Sequence, residues 1–140
     1  MYLPRLFAVV TLTPLCWGQD SSSAKSVSSD EAERLVRIAV DTSKGMSKPT
    51  RLPGFSMVAY NDPDLPSFIF FEATWHNPRP GSAIAGHFAV SSRTGDVWNV
   101  MGCEQLVSQR LRSEQEKVRK RLRIGAPLLK RFAKDVPCTL

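Results

Sequence analysis

Apolar residues recur at Ala32, Leu35, Val36, Ala39 and Val40, the i, i+3, i+4, i+7, i+8 spacing of one helix face. Ser28 and Glu31 stand at capping-box spacing, and Asp30 adds negative charge to the first turn. Gly45 suits the position just past a helix end and Pro49 blocks continuation, so the pattern predicts a helix over 29–44. Four strand-like runs follow, at 55–60, 67–75, 84–91 and 97–101. Asn61-Asp62-Pro63-Asp64 reads as a turn and 77–81 as a loop. In the second run, alternation places Ile69, Phe71, Ala73 and Trp75 on one face.

The last two runs are joined through Arg93-Thr94-Gly95, a three-residue hairpin loop with glycine at its left-handed position. With Ser92 facing Asp96, that loop pairs Val90 with Trp98 and Phe88 with Val100 on the core side. His87, Ala89, Ser91 and Asn99 then fall on the other side. After Gly102 and Cys103, residues 104–123 read as a second helix. Its apolar stripe is sparse (Leu106, Val107, Leu111, Val118, Leu122) and is interrupted by Glu114 and Gln115. Gly125-Ala126-Pro127 ends it, 128–133 adds a short helical turn, and 135–140 is a tail. The fold class is α+β: an N-terminal helix packed on a four-stranded antiparallel sheet, followed by a basic C-terminal helix.

A chain of 140 residues with 42% hydrophobic content has one domain's worth of core, which excludes a multidomain enzyme, a repeat array and a polytopic membrane protein. Residues 1–18 read as a signal peptide: Arg5 supplies the positive end, Leu6 to Leu15 the apolar run, and Gly18 the small residue before cleavage. The rival reading is a lipoprotein acylated at Cys16, but Leu15 is a poor residue to precede a lipidated cysteine. Residues 19–27, Ser-rich, form a disordered leader; 28–103 is the α+β domain; 104–140 is the basic C-terminal helix and tail. No later segment approaches transmembrane length. The expected location is secreted or periplasmic. Signal removal leaves Cys103 and Cys138, an even pair expected to form a disulfide in an exported chain.

The helix followed by antiparallel strands, with the hairpin His87-Phe88-Ala89-Val90-Ser91-Ser92-Arg93-Thr94-Gly95-Asp96-Val97-Trp98, resembles the PepSY-type module of exported bacterial proteins. The wider architecture is similar to cystatin-like α+β folds. The resemblance covers Ser28 to Cys103 and implies a small curved sheet with a helix across it. It also implies a role in protease inhibition or regulation, or in envelope binding, with no catalytic residues to carry over. The long basic C-terminal helix and the single copy of the module depart from that pattern.

Several constellations bear on chemistry. Cys103 and His87, with Asp96 or Asn99 to orient the imidazole, are the obvious pair for a cysteine hydrolase, but Cys103 has a better use in the disulfide. Glu72 and His76, four residues apart on a strand, would share a face, yet two ligands do not make a metal site. No metal or other cofactor is expected. His76 and Arg79, at the end of the second strand, are candidate partner contacts.

Charge is distributed unevenly. From Arg110 to Lys134 there are ten Lys/Arg and two Glu, so the local charge is 10 − 2 = +8, against +6 for the whole chain. Lys117, Arg119, Lys120, Arg121 and Arg123 are candidates for binding an anionic envelope surface, with a solvated helix face as the plainer reading. A protein partner is the other candidate. Nucleic acid is disfavoured by export and by the lack of interleaved stacking aromatics. The expected function is a non-enzymatic secreted or envelope-associated binding module, inhibitory or accessory; the alternative is a small exported enzyme. A deep pocket with convergent polar groups would favour the enzyme, and an exposed sheet face or cationic helix the binding module.

Overall fold

The computed structural model describes residues 26–42, 48–76, 81 and 83–138. Residues 1–18, read above as a signal peptide, most of the expected leader, Gly45 and Arg79 lie outside the described residues. Helix α1 spans Ser29–Thr42. Ser28 Oγ accepts the Glu31 backbone N–H at 3.2 Å, which is the N-terminal half of the expected capping box. The Glu31 carboxylate turns instead to Arg121. A single turn of 3-10 helix at Pro49–Arg51 leads into the sheet, tied to α1 by the Thr50 hydroxyl on the Asp41 carboxylate.

Among the described residues the sheet has five strands: β1 (Ser56–Tyr60), β2 (Phe68–Thr74), β3 (Ile84–Ser91), β4 (Val97–Asn99) and β5 (Glu104–Gln105). They form an antiparallel meander in chain order. Helices α2 (Gln109–Arg121) and α3 (Ala126–Phe132) follow. The α+β class with an N-terminal helix on an antiparallel sheet is therefore present, with one strand more than the sequence pattern implies.

The extra strand replaces the first turn expected of the second helix. Cys103 takes a left-handed backbone (φ 46) and its N–H bonds Val100 O, which reverses the chain after β4. Glu104 then pairs with Asn99 and Gln105 with Trp98. The helix begins five residues later than expected because Ser108 caps it, its hydroxyl accepting the Leu111 N–H at 3.1 Å. The same hydroxyl bonds Thr42 Oγ1 at the end of α1, so one serine joins the two helix ends.

The β3–β4 register also differs from the expected one. The loop holds four residues, Ser92 to Gly95, because Ser91 N donates to Asp96 O and Gly95 N donates back to Ser91 O. Ser91 Oγ takes the N–H groups of Arg93 and Thr94, and the Thr94 hydroxyl donates to Asp96. Gly95 is left-handed as the turn requires (φ 74). The pairs are Val90 with Val97, Ala89 with Trp98 and Phe88 with Asn99. A shift of one residue exchanges the faces of β4, so Val97 enters the core while Trp98 and Val100 go to the opposite side.

The main core lies between α1 and one face of the sheet. Leu35, Val36, Ala39 and Val40 of α1 pack on Phe71, Ala73, Phe88, Val90 and Val97. Full burial of a side chain such as Phe71 or Leu35 contributes about 1.5–3 kcal/mol. Helix α2 adds Leu111 and Val118, with Gln115 buried between them at helical spacing. Gln115 interrupts the apolar stripe without cost because its amide donates to Gly95 O at 3.0 Å. Val107, expected in the stripe, is exposed.

Candidate functional site

The face of the sheet turned away from α1 carries a second apolar cluster, Phe68, Phe70 and Ala89, with Leu65, Trp98 and Val100 packed on it. Cross-strand partners share a face. Val58 pairs with Glu72, Tyr60 with Phe70, and Ile84 with Thr74, so all three project on this side. Val58 is 62% exposed, Ile84 45% and Tyr60 44%, the last stacked on Phe70 at 5.5 Å. Met101, in the turn after β4, is 75% exposed. The open face therefore has a covered aromatic centre and exposed aliphatic and aromatic flanks.

Glu72 and His87 face each other across β2 and β3 on this side, with Glu72 Oε2 4.0 Å from His87 Nδ1. This pairing supersedes the Glu72–His76 one: β2 ends at Thr74, so His76 lies outside the strand. His76 is exposed and its backbone N–H bonds Pro53 O at 2.7 Å. Trp75, expected on the core side, is only partly buried beyond the strand end. Among the described residues no group of three or more His, Cys, Asp or Glu is placed to hold a metal ion.

The C-terminal segment wraps from α2 round the β3–β4 turn onto the open face. Cys103 and Cys138 form the expected disulfide, with a Cα–Cα distance of 5.8 Å. Arg93 lies over the Phe132 ring at 5.1 Å and pairs with Asp135 at 3.3 Å. Between this segment and the hairpin is a cavity of about 30 Å³ bordered by Ser91, Thr94, Trp98 and Phe132, room for about one water molecule. With its sulfur in the disulfide, Cys103 has no thiol to act as a nucleophile beside His87.

The five cations proposed for anionic surfaces are not equivalent. Arg119 points inward. Its Nη2 donates to Asp96 Oδ1 at 2.6 Å and its Nε to Thr94 O at 3.2 Å, and the two charged side chains are 21% and 11% exposed. This corrects the expectation that Arg119 belongs to a solvated cationic face: it locks α2 to the β3–β4 turn. Arg121 pairs with Glu31 of α1 and bonds Ser26 O. Lys117 pairs with Glu114 at 2.5 Å, and that contact holds the Glu114 carboxyl below its ordinary pKa, helped by the charges of Arg34 and Arg110 and opposed by desolvation. Lys120 and Arg123 have no carboxylate partner among the described residues, and they border a surface groove with Ile124, Gly125 and Leu129. Sequence spacing places these cations on a helix but does not show which meet a carboxylate brought in by the turn or by α1.

Among the described residues no helix is long and apolar enough to cross a membrane. No family model matches the sequence, and no curated protein matches it. In fold the chain is similar to one from a type VI secretion system effector–immunity complex of Pseudomonas protegens. The two are 24% identical and superpose with a TM-score of 0.63, over 78% of this chain and 88% of that one. At that identity the likeness establishes a shared fold.

Proposed function

We propose that the chain is an exported, non-enzymatic binding module that seats a protein partner on the open face of its sheet, in an inhibitory or accessory role. The observation that carries this reading is the exposure of Val58, Tyr60 and Ile84 on one sheet face, around an aromatic centre and beside the Glu72–His87 pair. Apolar side chains grouped on one face and rimmed by polar ones are the usual mark of an interaction surface. The solved structure of similar fold is that of an effector–immunity complex, which is in keeping with a role as one half of a protein pair. The inhibitory or regulatory role implied by the PepSY-type resemblance is of the same kind. Arg5, the apolar run after it and the Cys103–Cys138 pair support export.

The test is affinity capture from the native envelope fraction with the wild type and with Val58→Asp/Ile84→Asp, after circular dichroism has established that the variant is folded. A protein held by the wild type and lost by the variant supports the reading. Equal recovery by both overturns it.

A further inference from the structure

The partner-binding reading leaves the basic C-terminal region without a role, and that region is where charge and geometry diverge. Of the cations on α2, Arg119, Arg121 and Lys117 are taken up by Asp96, Glu31 and Glu114. Arg110, Arg112 and Lys120 of α2, and Arg123 just past its end, make no ion pair among the described residues, and of these Lys120 and Arg123 line one surface groove. They stand where α2 ends and α3 begins.

The turn between the helices is tightly specified. Ile124 N bonds Arg119 O and Arg123 N bonds Lys120 O, the two bonds of a Schellman motif. In that motif the left-handed residue is usually glycine, but here it is Arg123, with φ 56. Arg123 thus holds a conformation that glycine adopts more readily, and it lines a surface groove together with the half-buried Ile124 and Leu129. Glu116 is the one carboxylate on that groove, and it makes no ion pair with either cation. The carbonyl end of α2 already favours cations there, so the two positive charges are held rather than expelled.

We propose that the α2–α3 elbow is a second docking site, which takes an acidic peptide segment of the protein partner: carboxylates on Lys120 and Arg123, an apolar side chain on Ile124 and Leu129. This rests on the reading that the partner is a protein. A groove that sets Lys120 and Arg123 beside Ile124 and Leu129 matches an acidic segment with a leucine in it. A bilayer would draw on the cations of the whole helix, and Lys117, Arg119 and Arg121 are already paired with Glu114, Asp96 and Glu31.

The probe is a fluorescein-labelled Glu-Leu-Glu-Glu-Leu-Glu peptide, added to the purified disulfide-bonded protein and read by fluorescence anisotropy. Binding at low salt should weaken about tenfold or more between 50 mM and 500 mM NaCl, as the Debye length shrinks. Lys120→Glu/Arg123→Glu should abolish it. Arg51→Glu/Arg110→Glu, the same change in net charge at exposed sites away from the elbow, should leave it within about twofold. Arg123→Gly should melt at a higher temperature than the wild type while binding the peptide more weakly, which separates loss of the site from loss of the fold. Equal weakening by both double variants would mean diffuse attraction and overturn the proposal. So would absence of peptide binding with sedimentation on phosphatidylglycerol vesicles, which would make the region a membrane contact. Neither result bears on the open sheet face, so this inference can fail while the partner-binding reading stands.

Discussion

Replacing Arg119 by alanine should destabilise the domain by about 2–3 kcal/mol. The guanidinium bridges α2 to the β3–β4 turn through Asp96 Oδ1 at 2.6 Å and Thr94 O at 3.2 Å. A hydrogen bond to a charged group contributes about 1.5–3 kcal/mol, and removing one partner of a buried ion pair costs about 3–5 kcal/mol. The lower end applies here, because Asp96 keeps the Thr94 hydroxyl at 2.6 Å and Arg119 retains some contact with water. Urea unfolding followed by circular dichroism measures the loss. With a slope of about 1–3 kcal/mol per molar for small domains, the midpoint should fall by roughly 1 M. Arg119→Lys should recover only part, since a lysine ammonium cannot reach both Asp96 and the Thr94 carbonyl with the fork geometry of arginine. Asp96→Ala combined with Arg119→Ala should cost less than the sum of the two single changes. An Arg119→Ala variant within about 0.5 kcal/mol of the wild type would refute the reasoning and return Arg119 to the solvated face of the helix.

Reduction, or Cys103→Ser/Cys138→Ser, should cost about 4 kcal/mol by the chain-entropy relation for a separation of 35 residues, and should expose the 126–138 segment to protease before the sheet. Survival of that segment at the wild-type rate would contradict this. Gly86→Ala should destabilise by about 1–3 kcal/mol, because a Cβ there would stand 2.8 Å from the Phe88 ring; an unchanged thermal midpoint would mean the ring has room to move. The Glu114 carboxyl has its pKa lowered in the folded state, chiefly by Lys117, so its contribution is present above the unfolded value and lost as pH falls through the folded one. Glu114→Gln should therefore cost about 0.5 kcal/mol at neutral pH and nothing once the carboxyl is protonated in both states, read as urea midpoints that converge as the pH falls through the lowered folded-state pKa. Midpoints separated equally at all pH values would exclude that linkage.

Helix α1, the order of β1 to β4 and the Cys103–Cys138 pair follow from signals in the sequence: the period of Leu35, Val36 and Ala39, the turn residues between the strands, and the two cysteines left once Cys16 is assigned to the signal peptide. What escaped the sequence pattern depends on partners distant in the chain. The β3–β4 turn can close with three or four residues, and the choice rests on Ser91 Oγ collecting two N–H groups and on Thr94 being buried against α2. Ser108 is a capping residue in plain view, but Glu104 and Gln105 carry no strand signal of their own and pair with β4 only because Cys103 reverses the chain. The separate fates of Arg119, Lys120 and Arg121 were illegible for the same reason, since Asp96 and Glu31 lie 23 and 90 residues away. The open face was legible only in part: the side of β2 opposite Phe71 carries Phe68 and Phe70 but also Glu72 and Thr74, a mixed pattern that does not show where a cover would sit.

The central claim is that a protein sits on the open face of the sheet, and site-specific photo-crosslinking tests it most directly. A photoreactive amino acid is placed at Val58, at Ile84 or, as a control, at exposed Gln109 on α2, and irradiated in the native host's envelope. The account expects one adduct of defined larger mass from Val58 and Ile84, containing a second protein, and none from Gln109. Adducts from Gln109 alone, adducts with a second copy of this chain, or no adduct from either sheet position would contradict it.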